Sequence, residues 1–265
     1  MRNSQQSRSA NIFPGGFCSL FARNCFYCTT ERSPKNVNKT SANLVNIREK
    51  IAEAACRAGR RPAEITLVAV SKTQSVEKIR EAADAGQRVF GENRVQEALE
   101  KGPALPQGLS WHLIGHLQTN KIRKALNFFE LIHGVDSVHL TQAIDRIAAE
   151  MKLCPSILLE VNVSGENSKF GFAPASLRAS IEELMALQHV RIEGLMTVAP
   201  LNSNPESSRV YFAQLREMRD QLTQRTHLPL PILSMGMSGD YEVAVEEGAT
   251  LVRVGSALFG ERRYV

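Results

Sequence analysis

The sequence predicts a (β/α)8 barrel, an α/β TIM-barrel fold, preceded by one additional helix, and three observations lead there. Eight short apolar runs recur between residues 65 and 255, nearly all separated by helical patterns. That alternation favours parallel strands joined by right-handed crossovers. The chain has 265 residues, 43% of them apolar, which accommodates a fold needing roughly 250 residues. No Gly-x-Gly-x-x-Gly follows the first apolar run, which weighs against the open doubly wound sheet that remains the alternative.

The pattern begins at Leu44. Leu44, Ile47, Ile51, Ala54 and Ala55 recur at helical spacing, and Gly59 and Pro62 end that helix. The branched run 65–70 reads as a buried strand, and Ser71-Lys72 stands at its C-terminal end. A helix over 75–85 closing at Gly86, a strand over 88–91 and a helix over 95–101 repeat the cycle. Strands over 111–115 and 131–135 follow, each leading into a helix, over 120–127 and 141–151. In the second half, strands are expected over 157–163, 192–198, 230–234 and 251–255, with helices over 174–188, 207–226 and 241–247. In such a barrel the strand C-termini define the active face. Lys72, Asn93, His116, Asn162, Met196, Ser234 and Arg253 then surround one mouth.

The net charge of +5 resides in residues 1–42, which hold six basic residues against Glu31, whereas 43–265 hold 26 of each sign. A neutral body argues against general nucleic-acid binding, which needs a concentrated positive face. An RNA-associated role would have to rest on the tail. Residues 1–43 have no periodicity of a packed element and are read as an unstructured extension or as sequence upstream of the true start, leaving 44–265 as one domain. Cys18, Cys25, Cys28, Cys56 and Cys154 form no regular framework, which fits a reducing, cytoplasmic setting. Cys25 and Cys28 have the spacing of half a zinc knuckle, but no second ligand pair follows. No run approaches the ~20 apolar residues that cross a bilayer.

Three segments carry chemistry. Lys72, placed directly after an apolar strand, would be desolvated and its amine available to a carbonyl, unless it simply turns into solvent. The run Ser234-Met235-Gly236-Met237-Ser238-Gly239-Asp240 leads from strand to helix, and its glycines let the backbone approach a ligand. Gly255 and Ser256 follow the eighth strand, where barrels often bind phosphate. Ordinary turn glycines are the alternative at both places. Arg253, inside an apolar strand, must meet either a carboxylate or a ligand acceptor. His112 alternates with apolar neighbours as a satisfied core residue would, and His116 is better placed for a loop over the mouth.

With these motifs in order, the chain resembles the YggS/PROSC family of pyridoxal phosphate homeostasis proteins over residues 44–265. The resemblance rests on Ala69-Val70-Ser71-Lys72, Phe90-Gly91-Glu92-Asn93 with Val95-Gln96-Glu97, Trp111-His112-Leu113-Ile114-Gly115, Gln118-Thr119-Asn120-Lys121 and Glu166-Asn167-Ser168-Lys169-x-Gly171. Gly194-Leu195-Met196, the 234–238 loop and the run 252–260 complete it. It implies an alanine racemase N-terminal-domain-like barrel of fold type III that holds pyridoxal 5'-phosphate as a Schiff base on Lys72. Asn93 and Met196 would lie at the cofactor, Ser234, Gly236, Ser238, Gly255 and Ser256 at its phosphate, and Arg253 at the pyridine nitrogen. The chain departs from the family pattern at His116, where proline is common, and at Gly239, before Asp240.

An arginine at the pyridine nitrogen cannot accept a proton, so it favours a neutral ring and weakens carbanion chemistry, but alanine racemase shares an arginine there and the residue alone does not rule out catalysis. The second domain of alanine racemase, which supplies the second acid or base, has no counterpart in the remaining length. The expectation is therefore a non-catalytic protein of vitamin B6 and amino-acid homeostasis, monomeric or dimeric, exchanging its cofactor with pyridoxal phosphate-dependent acceptor enzymes. A pyridoxal phosphate-dependent amino-acid racemase or related enzyme is the alternative.

Overall fold

The computed structural model describes residues 38–166 and 169–260. Eight parallel strands close into a barrel in sequence order: β1 Thr66–Val70, β2 Val89–Glu92, β3 Ser110–His116, β4 Leu131–Val135, β5 Ser156–Glu160, β6 Arg191–Met196, β7 Ile232–Ser234 and β8 Leu251–Val254. Closure is made where β1 pairs with β8, with Thr66 opposite Leu251 and Ala69 opposite Val254. The doubly wound alternative is thereby excluded.

Strands covered on both faces read as continuous apolar runs because each alternate residue has its own core. Val68, Leu131, Leu158, Met196 and Leu251 pack together as one cluster, separate from the larger core of the molecule. That larger core includes Ala69, Ile132, Leu159 and Leu195, neighbours in sequence of the first set, with Phe90 and Leu113, packed with residues of the surrounding helices.

The helices are α1 Lys39–Arg57, α2 Val76–Asp84, α3 Val95–Lys101, α4 Ile122–Leu126, α5 Val138–Met151, α6 Pro174–Met185, α7 Arg209–Thr226, α8 Tyr241–Glu246 and α9 Ser256–Phe259. Serines open two of them: Ser75 accepts from the Lys78 amide and Ser137 from the Leu140 amide. The second cap starts α5 at Val138 rather than at residue 141.

Other boundaries differ from expectation for equally local reasons. Helix α1 begins at Lys39, five residues before Leu44, because the Asn38 side chain accepts from the Thr40 amide. Strand β5 stops at Glu160 rather than 163, since Val161 makes only a bridge to Phe172 and Asn162 turns into a loop. Strand β6 ends at Met196 and β7 is confined to Ile232–Ser234. The short helix α9 was not expected. Cys18, Cys25 and Cys28 lie outside the described residues, while Cys56 and Cys154 are exposed free thiols. Among the described residues no helix is long and apolar enough to cross a membrane.

Candidate functional site

Two-residue periodicity determines where Lys72 points. Val68 belongs to the separate strand cluster, Val70 lines a cavity of about 500 Å³, and Lys72 continues the same file into that cavity. Ser71 faces the other way, buried, and its hydroxyl donates to Glu92 Oε1 at 2.7 Å. Asn93, directly after β2, contributes to the cavity wall beside Lys72. Its carbonyl requires Gly115 on the next strand, because a Cβ there would stand 2.6 Å from the Asn93 oxygen.

Residues 237–240, with Arg253, Gly255 and Ser256, supply another wall. The Ser238 hydroxyl accepts from the amides of Gly255 at 3.2 Å and Ala257 at 3.3 Å. These N–H groups converge on one oxygen in the turn that opens α9, an arrangement suited to an anionic oxygen. The loop is braced from behind. Asp240 accepts from the Met237 amide at 2.7 Å and from the Ser208 hydroxyl at 2.9 Å. Gly236 has a φ of +88°, and a Cβ would come within 2.5 Å of Ala244 Cβ, so this position admits only glycine. Val198, Pro200, Leu201 and Asn202, from the loop after β6, complete the rim, with Leu201 94% exposed.

Arg253 enters the cavity from β8, itself only 4% exposed. Its guanidinium donates to Ser234 Oγ at 2.5 Å and to the Thr197 carbonyl at 2.8 Å. Burial lowers its pKa to about 10, opposed by Glu160 and Asp240 through space, so it stays a cation at neutral pH. Ser234 Oγ in turn meets His133 Nδ1 at 2.9 Å, and His133 Nε2 meets His112 Nδ1 at 3.1 Å. Burial pulls His112 down to about 4. Burial, then His112 and Arg253, hold His133 well below the ordinary histidine range. Both imidazoles are therefore neutral, and each has a single N–H to give to this chain.

Of the residues singled out in the sequence, Lys72, Asn93, Ser238, Arg253, Gly255 and Ser256 line one cavity. Met196 is packed in the strand cluster, and Ser234 is buried and bonded to Arg253 and His133. Gly236 packs against Tyr241 and Ala244. Asn162 is turned to its own loop, where its side chain donates to the Glu166 carbonyl at 2.9 Å and accepts from the Gly165 amide at 3.0 Å. His116 pairs with Asp136 at 2.7 Å and stacks on the half-exposed Phe170. Asn167 and Ser168 lie outside the described residues. His133 and Glu160 escaped the sequence reading, although each is a polar residue two places after an apolar one, Leu131 and Leu158, inside a buried strand.

The cavity fits pyridoxal phosphate in kind. It offers a primary amine, backbone amides and hydroxyls for a dianion, and a fixed cation in the same lining.

Comparisons with known proteins agree with the fold. Residues 42–263 match the family described as alanine racemase, N-terminal domain. A protein of Aquifex aeolicus named pyridoxal phosphate homeostasis protein is 46% identical over 222 residues, covering 83% of this chain and 97% of that protein. The structure of PipY from Synechococcus elongatus with PLP bound is 42% identical, with a TM-score of 0.73, covering 83% of this chain and all of PipY. An alanine racemase of Clostridium difficile in complex with cycloserine, 18% identical with a TM-score of 0.68, shares the fold over 85% of this chain and 60% of its own.

Proposed function

The chain belongs to the pyridoxal phosphate homeostasis proteins, built on the alanine racemase N-terminal domain, and from that premise we propose that it binds pyridoxal 5'-phosphate on Lys72 as a reversible carrier. The observation that carries this reading is the presence of the Lys72 amine and the Ser238–Gly255–Ser256 cradle in the lining of one cavity of about 500 Å³. Pyridoxal phosphate supplies an aldehyde that condenses with a primary amine, forming a C=N bond and releasing one water.

The chain's own residues divide the remaining work. Ser238, Gly255 and Ser256 hold the phosphate with hydroxyls and amides, and Gly236 gives their loop its turn. Asn93, in the lining with Lys72, would lie beside the ring. Arg253, fixed by Ser234 and the Thr197 carbonyl, would serve as a donor to the pyridine nitrogen. Met196, packed in the cluster with Val68, would support the site from the strand side. A donor-only group at the nitrogen would leave the ring a weak electron sink. The partners of such a carrier are cytoplasmic pyridoxal phosphate-dependent enzymes that take the cofactor from it.

An absorbance titration of the full chain with pyridoxal phosphate tests the reading against Lys72→Ala. A shifted cofactor band in the parent, absent from the variant, is expected. The spectrum of free cofactor in both would overturn the assignment.

A further inference from the structure

Behind β1, on the side away from the cavity, lies a cluster of charged groups that the cofactor reading leaves without a role. Lys101, at the end of α3, has a side chain only 13% exposed. Its ammonium donates to the Ser71 carbonyl at 3.0 Å, to Glu92 Oε1 at 3.2 Å and to Glu97 Oε1 at 2.6 Å. An ammonium has three N–H bonds, and three acceptors receive them. Glu97 Oε1 also accepts from the Thr73 amide at 2.6 Å. The backbone is thus gripped on both sides of Lys72: the Ser71 carbonyl by Lys101 and the Thr73 amide by Glu97.

The conformation they grip is unusual. Thr73 has a φ of +64°, a region that β-branched residues rarely adopt. Among the described residues two other non-glycines have positive φ, Lys152 and His227, and both are C-caps of long helices, α5 and α7. Left-handed residues are common there because they end a helix. Thr73 caps nothing. An isolated left-handed residue beside a site persists only where surrounding contacts over-determine it, and the Glu97 contact with its amide is such a restraint. A simple solvent-facing i,i+4 pair between Glu97 and Lys101 would not converge on the Ser71 carbonyl and the Thr73 amide as well.

We propose that Glu97 and Lys101 form a clamp that holds Thr73 in the left-handed region and thereby turns the chain off β1 with the Lys72 amine directed into the cavity. Both are positioning residues, and their part in cofactor capture rests on Lys72 being the anchor. Without the clamp, Thr73 relaxes to an ordinary conformation and Lys72 samples directions away from the cavity. The amine then meets the aldehyde less often.

The test uses the full chain, with Glu97→Ala and the double variant Glu97→Ala/Thr73→Gly. Glycine occupies φ near +64° at no steric cost, so it restores the turn without restoring the clamp. Glu97→Ala is expected to acquire the Lys72-dependent cofactor band about tenfold more slowly than the parent, equivalent to about 1.4 kcal/mol in the barrier. The double variant is expected within about twofold of the parent. A purely structural loss would not be repaired by glycine at position 73. A parent-like rate in Glu97→Ala, or no recovery in the double variant, would overturn the proposal. If Glu97→Ala does not fold, Glu97→Gln, which keeps an acceptor but loses the charge, is compared with and without Thr73→Gly, with slowing and recovery of the same sign.

Hydrogen exchange at the Thr73 amide without cofactor separates this proposal from the reading of Lys72. Protection in the parent and its loss on removing the Glu97 carboxylate support the clamp even if the parent shows no cofactor band, a result that would remove Lys72 as anchor. Equal exchange in both proteins would overturn the clamp.

Discussion

Glu160, the last residue of β5, is the buried carboxyl closest in kind to a switch. Burial raises its pKa to about 7, against the pull of Arg253 and His116 and with the push of Asp136. The folded protein therefore keeps a proton that the unfolded chain releases near pH 4.5. The stability this group contributes is full below about pH 4.5 and is lost as pH rises through about 7. Glu160→Gln keeps the shape and removes the titration. Between pH 5 and pH 8 the unfolding free energy of the variant is expected to gain on that of the parent by on the order of 2–3 kcal/mol, measured by urea denaturation at both pH values. A difference that does not change with pH would mean that Glu160 is not the titrating group. The same burial explains why such residues were hard to read. The position of Lys72 follows from the apolar run before it. The relations of Glu97 to Thr73 and of Lys101 to Ser71 join positions 24 and 30 residues apart, and no local pattern encodes them.

Strands β6 and β7 approach closely at Gly194, which pairs with Ile232. A Cβ at Gly194 would stand 1.9 Å from the Ile232 carbonyl oxygen, so alanine must push the two strands apart. Two residues further along that register Met196 pairs with Ser234, the serine that holds Arg253. Gly194→Ala is expected to cost about 3 kcal/mol, whereas Gly239→Ala, with open space around its Cβ, stays within about 0.5 kcal/mol. Comparing their urea midpoints decides the matter; equal midpoints would show that β6 and β7 can separate freely. The alternation of strands and helices was legible because burial on two faces imposes periods of two and 3.6 on the sequence. The segments after the strands were less so. Asn162 reads as a mouth residue from its place after β5, yet its amide is taken up by the Glu166 carbonyl. Helix α9 is four residues long, too short to impose a period.

The barrel closes where its first and last strands meet, and α1 lies across that junction, in contact with α2, α8 and α9. Arg60, just beyond α1, donates to the carbonyls of Val245 and Ala249 at 2.8 Å each. Arg57 pairs with Glu246 at 2.7 Å. The contact nearest the proposed phosphate cradle is made by Asn43, whose side chain donates to the Leu258 carbonyl at 2.9 Å. Leu258 lies in α9, directly after the residues that gather around Ser238. The N-terminal helix thus braces the C-terminal end of the site. A start at Leu44, as the apolar spacing implies, leaves Asn43 outside that helix and hides the link, because the true start depends on a cap at Asn38 rather than on apolar period. Asn43→Ala removes one side-chain hydrogen bond, worth about 1 kcal/mol, and frees α9 to shift. If α1 holds the cradle in place, the variant releases pyridoxal phosphate on dialysis with an affinity about fivefold weaker, while a band that depends on Lys72 still forms at saturating cofactor. Unchanged affinity would mean that α9 is held by its own turn, in which the amides of Leu258 and Phe259 donate to the Gly255 carbonyl, and that α1 serves closure of the barrel alone.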